Sequence, residues 1–225
     1  MKLPSIAKPL LRCFCSAAVV VFSGSALVGA QRCVSFRDSR GRSSIDFAPL
    51  DGYTDLCSKD FQLCVMLTLR YPPSVQTIGY FVRDEEWQDC KQGKHERCRF
   101  TRYFIAQRGR DLSSEEFLDL KRHIHLNEDN VVDHTESARA FELEDRVSLG
   151  VIDESSDSIS FGAIFKTKAP DEHGSRLTAS INVVLQLKGE ALSLYVFDAV
   201  KDLKDTNRIK SLANDWLKCI RDRNK

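Results

Sequence analysis

Histidine and carboxylate side chains are densest in one stretch. His123, His125, Glu128, Asp129, Asp133 and His134 follow one another closely. Histidine changes charge near neutral pH and a carboxylate accepts protons, so such a set suits the general acid and base of a hydrolase. The spacing restricts it. His123 and His125 are two residues apart, which on a helix turns them about 200° from one another. They can serve one centre only where the chain has left the helix. The ordinary alternative is a solvated acidic stretch. The catalytic candidates are therefore His123, His125, Asp133 and His134, with no metal assigned.

Other chemistries find little support. Beyond the first thirty residues there is no G-x-S-x-G elbow and no S-x-x-K, the settings that activate a serine. Ser175 follows Gly174 in a polar stretch, which is ordinary turn chemistry. Neither a G-x-G-x-x-G nor a G-x-x-x-x-G-K-[ST] run occurs, so no nucleotide cofactor is indicated. No C-x2-C or C-x4-C pair occurs beyond the first thirty residues, which argues against zinc held by cysteine.

The cysteines point to disulfides instead. Of eight, Cys13 and Cys15 fall within the first thirty residues. Cys33, Cys57, Cys64, Cys90, Cys98 and Cys219 remain, an even set that reads as up to three bridges in an oxidising compartment. In a continuous helix Cys57 and Cys64 would stand about 10 Å apart, beyond the ~7 Å that a bridge tolerates between Cα atoms. They can pair only across a turn. Cys90 and Cys98 flank a segment able to turn, Lys91 to His95, and are the best local pair. Cys219, near the end of the last helix, needs a remote partner.

Charge is unevenly spread. Residues 88–110 hold seven basic residues, among them Arg97, Arg99, Arg102, Arg108 and Arg110, against Asp89 and Glu96. Phe100, Tyr103 and Phe104 lie among them. Residues 111–160 hold 14 acids against four bases. A basic patch with aromatic residues suits an acidic partner, and Arg97, Arg99, Arg102 and Tyr103 are the candidate binding residues. The plainer alternatives are that the arginines form the solvated face of one strand, or that the two blocks face each other.

The elements that must position these residues are partly visible. Ser113 with Glu116 forms a capping box, and Phe117, Leu120 and Ile124 share a face, so a helix begins at 113 and ends near 126–127. From 146 to 197 four alternating runs are separated by turn residues: Val147–Val151, Ile159–Phe165, Leu177–Leu187 and Leu192–Val196, with Lys188-Gly189-Glu190 as the tightest turn. They predict an antiparallel meander with one face buried. Ile209, Leu212, Ala213, Trp216, Leu217 and Ile220 form a helical stripe capped by Asp205 or Thr206, seeking an apolar surface. Val75–Val82 and Arg99–Gln107 read as further strands, separated by a polar loop holding Trp87. Residues 32–37 and 44–47 read as short strands and 38–41 as a turn. Residues 58–70 fit a helix, with Ser58 as cap, somewhat better than a strand. The expected fold is α+β: a twisted antiparallel sheet, meander 146–197, covered on one face by helices that include the C-terminal one.

The chain's start completes the picture. Lys2, Lys8 and Arg12 precede an apolar run that ends at Val28-Gly29-Ala30, the layout of a cleavable leader. Residues 1–30 are read as a signal peptide and 31–225 as a single exported domain, with no stable membrane span after cleavage. Without the leader's three cations, the 33 Lys+Arg of the chain become 30, against 32 Asp+Glu. That balance does not suit a general nucleic-acid binder. The expected function is a periplasmic or secreted binding protein, possessing no cofactor, whose partner is another protein: an inhibitor or an envelope-associated factor. The competing expectations are a periplasmic hydrolase built around 123–136 and a small-ligand carrier.

Overall fold

A two-residue turn sets the longest hairpin. Lys188 and Gly189 both adopt left-handed backbone, φ 50° and 83°, the geometry that matches the twist of two adjoining strands. It joins β6 (Ser175–Leu187) to β7 (Glu190–Val200), with Leu187 opposite Glu190. In the computed structural model, the described residues are 45–47, 49–69, 76–93, 98, 100–127, 143–168, 175–202 and 205–225. All belong to one unit of the chain, residues 31–225. The expected meander is present, as β4 (Leu143–Glu154) and β5 (Ser158–Lys168) continue from β6 in antiparallel register. On its other side β7 pairs with β3 (Arg102–Arg108), then come β2 (Gln76–Arg83) and the three-residue β1 (Tyr53–Asp55). The sheet has seven strands in the order β1-β2-β3-β7-β6-β5-β4. The fold is α+β, as expected.

The stretch 58–70 is helical but broken. It lies in α1 (Leu56–Lys59) and α2 (Phe61–Thr68). Asp60 between them is extended, φ −145°, and its carboxylate caps α2 by accepting from Leu63 N at 2.9 Å. Asp55 caps α1 by accepting from Cys57 N at 3.1 Å, and burial raises its pKa. Ser58, expected as the cap, sits inside α1 and donates to Asp55 instead. The corner at Asp60 brings the Cα atoms of Cys57 and Cys64 to 4.9 Å, and the two are bridged.

Trp87 corrects the expected polar loop. It is buried on α3 (Asp84–Lys91), with Lys91 Nζ 5.8 Å from its ring. Three acids, Asp84, Glu85 and Glu86, stabilise the first turn against the helix dipole. Cys90, at the helix end, is bridged to Cys98. The expected strand at 44–47 is also corrected for its described residues: Ile45, Asp46 and Phe47 are not in a strand. Ile45 and Phe47 are buried, and Asp46 is clipped to the C-terminus, its N–H donating to Asn224 Oδ1 at 2.8 Å. The expectations for 32–41 lie outside the described residues.

α5 (Thr206–Arg223) lays its expected stripe on one face of the sheet. Trp216 packs between Phe81 and Phe104, ring centroids 5.9 and 5.1 Å away. The other face is covered as well. α1, α2 and α3 contribute Leu56, Cys64 and Trp87 to a cluster with Tyr80, Ile105 and Tyr195. α4 (Ser114–Leu126), with its capping box formed as expected, packs Phe117 and Ile124 on Ile159, Phe161 and Val184. Register explains the difference from a one-faced sheet. Ile159 stands opposite Val184 and Phe161 opposite Asn182. The apolar run of β5 therefore shares a face with 182 and 184, whereas Ile181, Val183 and Leu185 point to the α5 side.

Candidate functional site

Of the four catalytic candidates, Asp133 and His134 lie outside the described residues, and His123 and His125 occupy the last turn of α4. The helix keeps the two histidines apart. Asn127 Nδ2 donates to the carbonyl of His123 at 2.8 Å. His125 Nε2 lies 2.8 Å from Glu154 Oε2 at the end of β4. The other oxygen of Glu154 is 3.3 Å from Lys121 Nζ. Lys121 is 6 % exposed, rests over the Phe117 ring at 5.1 Å, and donates to the carbonyls of Ser155 and Ser156. The His125 hydrogen bond first, and Lys121 with it, hold the Glu154 pKa below its ordinary value. Beside this group Arg221 of α5 donates to Asp157, Ser155 and Ser158. Burial alone would raise the Asp157 pKa, but hydrogen bonds from Ser155 and Arg221 lower it. The arrangement ties α4 and α5 to the β4–β5 turn. A buried ammonium with carbonyl and carboxylate acceptors is a satisfied structural group.

Arg97 and Arg99 lie outside the described residues. Arg102 and Tyr103, neighbours in β3, point to opposite faces. On the α5 side, Arg102 Nε meets Asp198 Oδ1 at 3.1 Å, and Arg208 Nε of α5 meets the second carboxylate oxygen at 2.7 Å. Burial acts to lower the Arg102 pKa, yet the hydrogen bond and charge of Asp198 raise it. Tyr53, beside Arg102, has its phenol raised by burial. Two more arginines of the basic block are paired: Arg108 with Glu190 at 2.8 Å and Arg110 with Glu116 at 3.3 Å.

Tyr103 belongs to a different environment. On the helix-covered face opposite α5, its ring lies 5.4 Å from Tyr80 at 8° and 4.6 Å from Phe197 at 18°. The strands then place small residues beside these rings. Phe197 is opposite Ser180, and Ser180 opposite Ala163. In the next row Ala199 is opposite Thr178, and Thr178 opposite Phe165. Beside these rings, with Thr178 between Phe197 and Phe165, lies a cavity of about 150 Å³. Its aromatic walls are Phe100, Tyr103, Phe165 and Phe197, and its polar groups are Thr101, Arg176 and Thr178. Phe165 and Phe197 are buried, while the other lining residues are half-buried, so the cavity opens at its rim. Of these residues only Tyr103 stands among the sequence-derived candidates. The missed signal was parity. Tyr195 and Phe197 alternate with Leu194 and Val196, and a strand apolar on both parities is covered on both sides.

Cys219 is also disulfide-bonded. Among the described residues, no group of three or more His, Cys, Asp or Glu side chains is placed to hold a metal ion, and no helix is long and apolar enough to cross a membrane. No family model matches the chain, and no curated protein matches it. Over 86 % of its length it is similar to the crystal structure of the Saccharomyces cerevisiae Ran-binding protein Mog1p, of which 94 % is covered, with a TM-score of 0.40 and 8 % identity.

Proposed function

We propose that this chain is a binding protein, exported by a leader at residues 1–30 to the periplasm or the cell exterior. Its partner is another protein, engaged through the cavity beside Tyr103. The carrying observation is the cavity's make-up: four aromatic rings, two of them buried and two half-buried, with one half-buried arginine and two half-buried threonines. Apolar walls with a few placed polar groups are the usual anatomy of a ligand site, and aromatic residues with arginine dominate protein interfaces. The bridges Cys57–Cys64 and Cys90–Cys98 support an oxidising compartment.

The test is affinity capture from the envelope extract of the source organism with tagged residues 31–225, run beside Thr178→Trp, which fills the cavity, and Arg110→Glu, which alters a remote exposed charge. The expected result is a near-stoichiometric protein retained by wild type and Arg110→Glu and lost by Thr178→Trp. Equal retention by all three would place the interface elsewhere. Absence of any enriched protein would refute a protein partner.

A further inference from the structure

Building on the reading of this cavity as the binding site, we infer that it takes one uncharged monocyclic aromatic ring, and that α3, which does not line it, holds its Phe100 wall in place. Such a ring is offered by a phenylalanine or tyrosine side chain of a partner protein or by a free phenyl compound. Size sets the first limit. About 150 Å³ is the volume of a cavity that accommodates benzene, and the two fused rings of an indole exceed it. The walls set the second. Phe100, Tyr103, Phe165 and Phe197 are four of the seven lining residues. Phe197 stands on β7 and Phe165 on β5, so the width of β6 separates them, about 10 Å across the sheet. Thr178 is the small lining residue of β6 between them. Aromatic pairs favour centroids about 4.5–7 Å apart, so a single ring over Thr178 comes within range of both. The polar groups do not select a charge. Thr101 spends its hydroxyl donor on Glu86, and Arg176 is already engaged in an interaction of its own. Discrimination falls to the rings.

A stacking site works only where its walls are already in position, and Phe100 lies ahead of β3, outside any strand. Two side chains of α3, one helical turn apart, hold it from both ends. Cys90 is bridged to Cys98, two residues before Phe100. Both carboxylate oxygens of Glu86 lie 3.1 Å from the N–H of Thr101, the residue after it. The carbonyl of Thr101 in turn accepts from Ala199 N of β7 at 2.8 Å. The segment 98–101 is thus pinned to a helix on one side and to the sheet on the other. Glu86 and Cys90 are positioning residues: neither touches the guest, and both fix the ring that does.

The experiment is a magnetic-resonance titration of residues 31–225, disulfides intact, following the Thr178 methyl with four uncharged probes: p-cresol, 4-methylcyclohexanol, indole and N-acetylphenylalaninamide. p-Cresol and the amide should both shift the Thr178 signal and compete with one another. 4-Methylcyclohexanol, of similar outline but without a ring face, should bind roughly three- to tenfold more weakly, the worth of one aromatic pair, and indole should also bind more weakly than p-cresol. Thr178→Trp should abolish binding of every probe, followed then at Tyr103; should it fail to fold, Thr178→Leu fills part of the same space and should weaken every ring probe. Glu86→Gln and the double variant Cys90→Ser with Cys98→Ser should each weaken both ring probes at least about threefold. Cys57→Ser with Cys64→Ser, which opens the other bridge of the same cluster, should lower the melting temperature and leave ring affinity unchanged. A tighter N-acetylphenylalaninamide identifies a protein side chain as the source, and a tighter p-cresol identifies a free compound. No shift at Thr178, or equal affinity for p-cresol and 4-methylcyclohexanol, overturns the ring chemistry. Ring affinity that is unchanged by the α3 variants, or that falls equally when Cys57–Cys64 is opened, overturns the positioning role. If a captured protein depends on Thr178 yet no ring probe binds, the ring chemistry falls and the binding reading stands. If ring probes bind but no protein is captured, the protein partner falls and the ring chemistry stands.

Discussion

Replacing Asp198 by asparagine should damage stability and leave the binding site intact. Asp198 is 2 % exposed and is held by guanidinium groups from two elements, Arg102 of β3 and Arg208 of α5. An asparagine keeps one acceptor oxygen but turns an NH2 group toward the other arginine, so one donor faces another. Breaking a buried pair by removing one partner costs about 3–5 kcal/mol. Here the loss is smaller on one side, because the Arg208 side chain is 51 % exposed and regains water, whereas that of Arg102 is 20 % exposed and does not fully do so. We therefore expect about 2–4 kcal/mol. For a domain of this length each kcal/mol shifts the melting temperature by about 2–4 °C, so the midpoint should fall by roughly 6–12 °C for ~3 kcal/mol. Arg208→Gln, which removes the exposed arm, should cost about 0–1 kcal/mol, and Arg102→Gln should fall between the two. Thermal unfolding followed by circular dichroism measures all three, with the capture assay run well below each midpoint. A melt of Asp198→Asn within about 2 °C of wild type would refute the accounting. An Arg102→Gln protein that melts like wild type but captures no partner would make Arg102 a binding residue and not a structural one.

The other predictions concern the latch, the sheet and the cysteines. Glu154, held below its ordinary value of 4.5 by His125 and Lys121, contributes stability that is full above that value and lost as pH falls through the lower folded-state value. Denaturant melts of wild type and Glu154→Gln should thus differ near neutral pH, and the difference should shrink as pH falls below the ordinary glutamate value. A constant difference would show that the carboxylate's charge is not involved. Gly162→Ala would set a Cβ 2.7 Å from the Ser180 carbonyl on the neighbouring strand, costing about 1–3 kcal/mol. Gly109→Ala, whose nearest contact is 3.5 Å, should be close to neutral in the same assay. Intact mass should place the mature start at Gln31 with all six cysteines protected from alkylation until reduced. Non-reducing peptide maps should show Cys57–Cys64, Cys90–Cys98 and, since these leave one other cysteine after cleavage, Cys219 joined to Cys33; a free Cys33 would contradict the map.

The parts of the fold legible in the sequence were those set by local rules. The Ser113–Glu116 box, the turn at Lys188-Gly189 and the α5 stripe each need only neighbouring residues to be recognised. α3 was illegible because its one buried residue is Trp87, and a single apolar position has no period. The helix is held by the cluster it joins with Tyr80, Val82 and Ile105. Register was invisible for a related reason. Alternation shows that β5 and β6 each have an apolar side, but only the pairing of Ile159 with Val184 reveals that these sides oppose one another. Arg102 and Tyr103 were grouped by proximity in a basic stretch. The pleat sends one to an ion pair with Asp198 and the other to the ring series.

The location of the cavity follows from how the second face is covered. One apolar cluster gathers α1–α3 over β2, β3 and β7, and a separate cluster gathers α4 over β5 and β6. The two do not merge. On β6, between Phe197 of the first and Phe161 of the second, stand Ser180 and Asn182, with Thr178 next along the strand. A strand burying both faces would ordinarily carry apolar residues at these positions. Asn182 has a buried Oδ1 with no hydrogen-bond partner among the described residues, an arrangement that costs about 1–3 kcal/mol. Small and polar side chains at the seam thus forgo the burial that would weld the clusters together. What they leave at one end of the seam is an opening walled by rings on both sides, with Arg176 at its rim. Residues 100–103 supply three of its lining residues, and of these the sequence singled out Tyr103 as a candidate; Phe165, Arg176, Thr178 and Phe197 come from three other strands and join it only once the strands are in register.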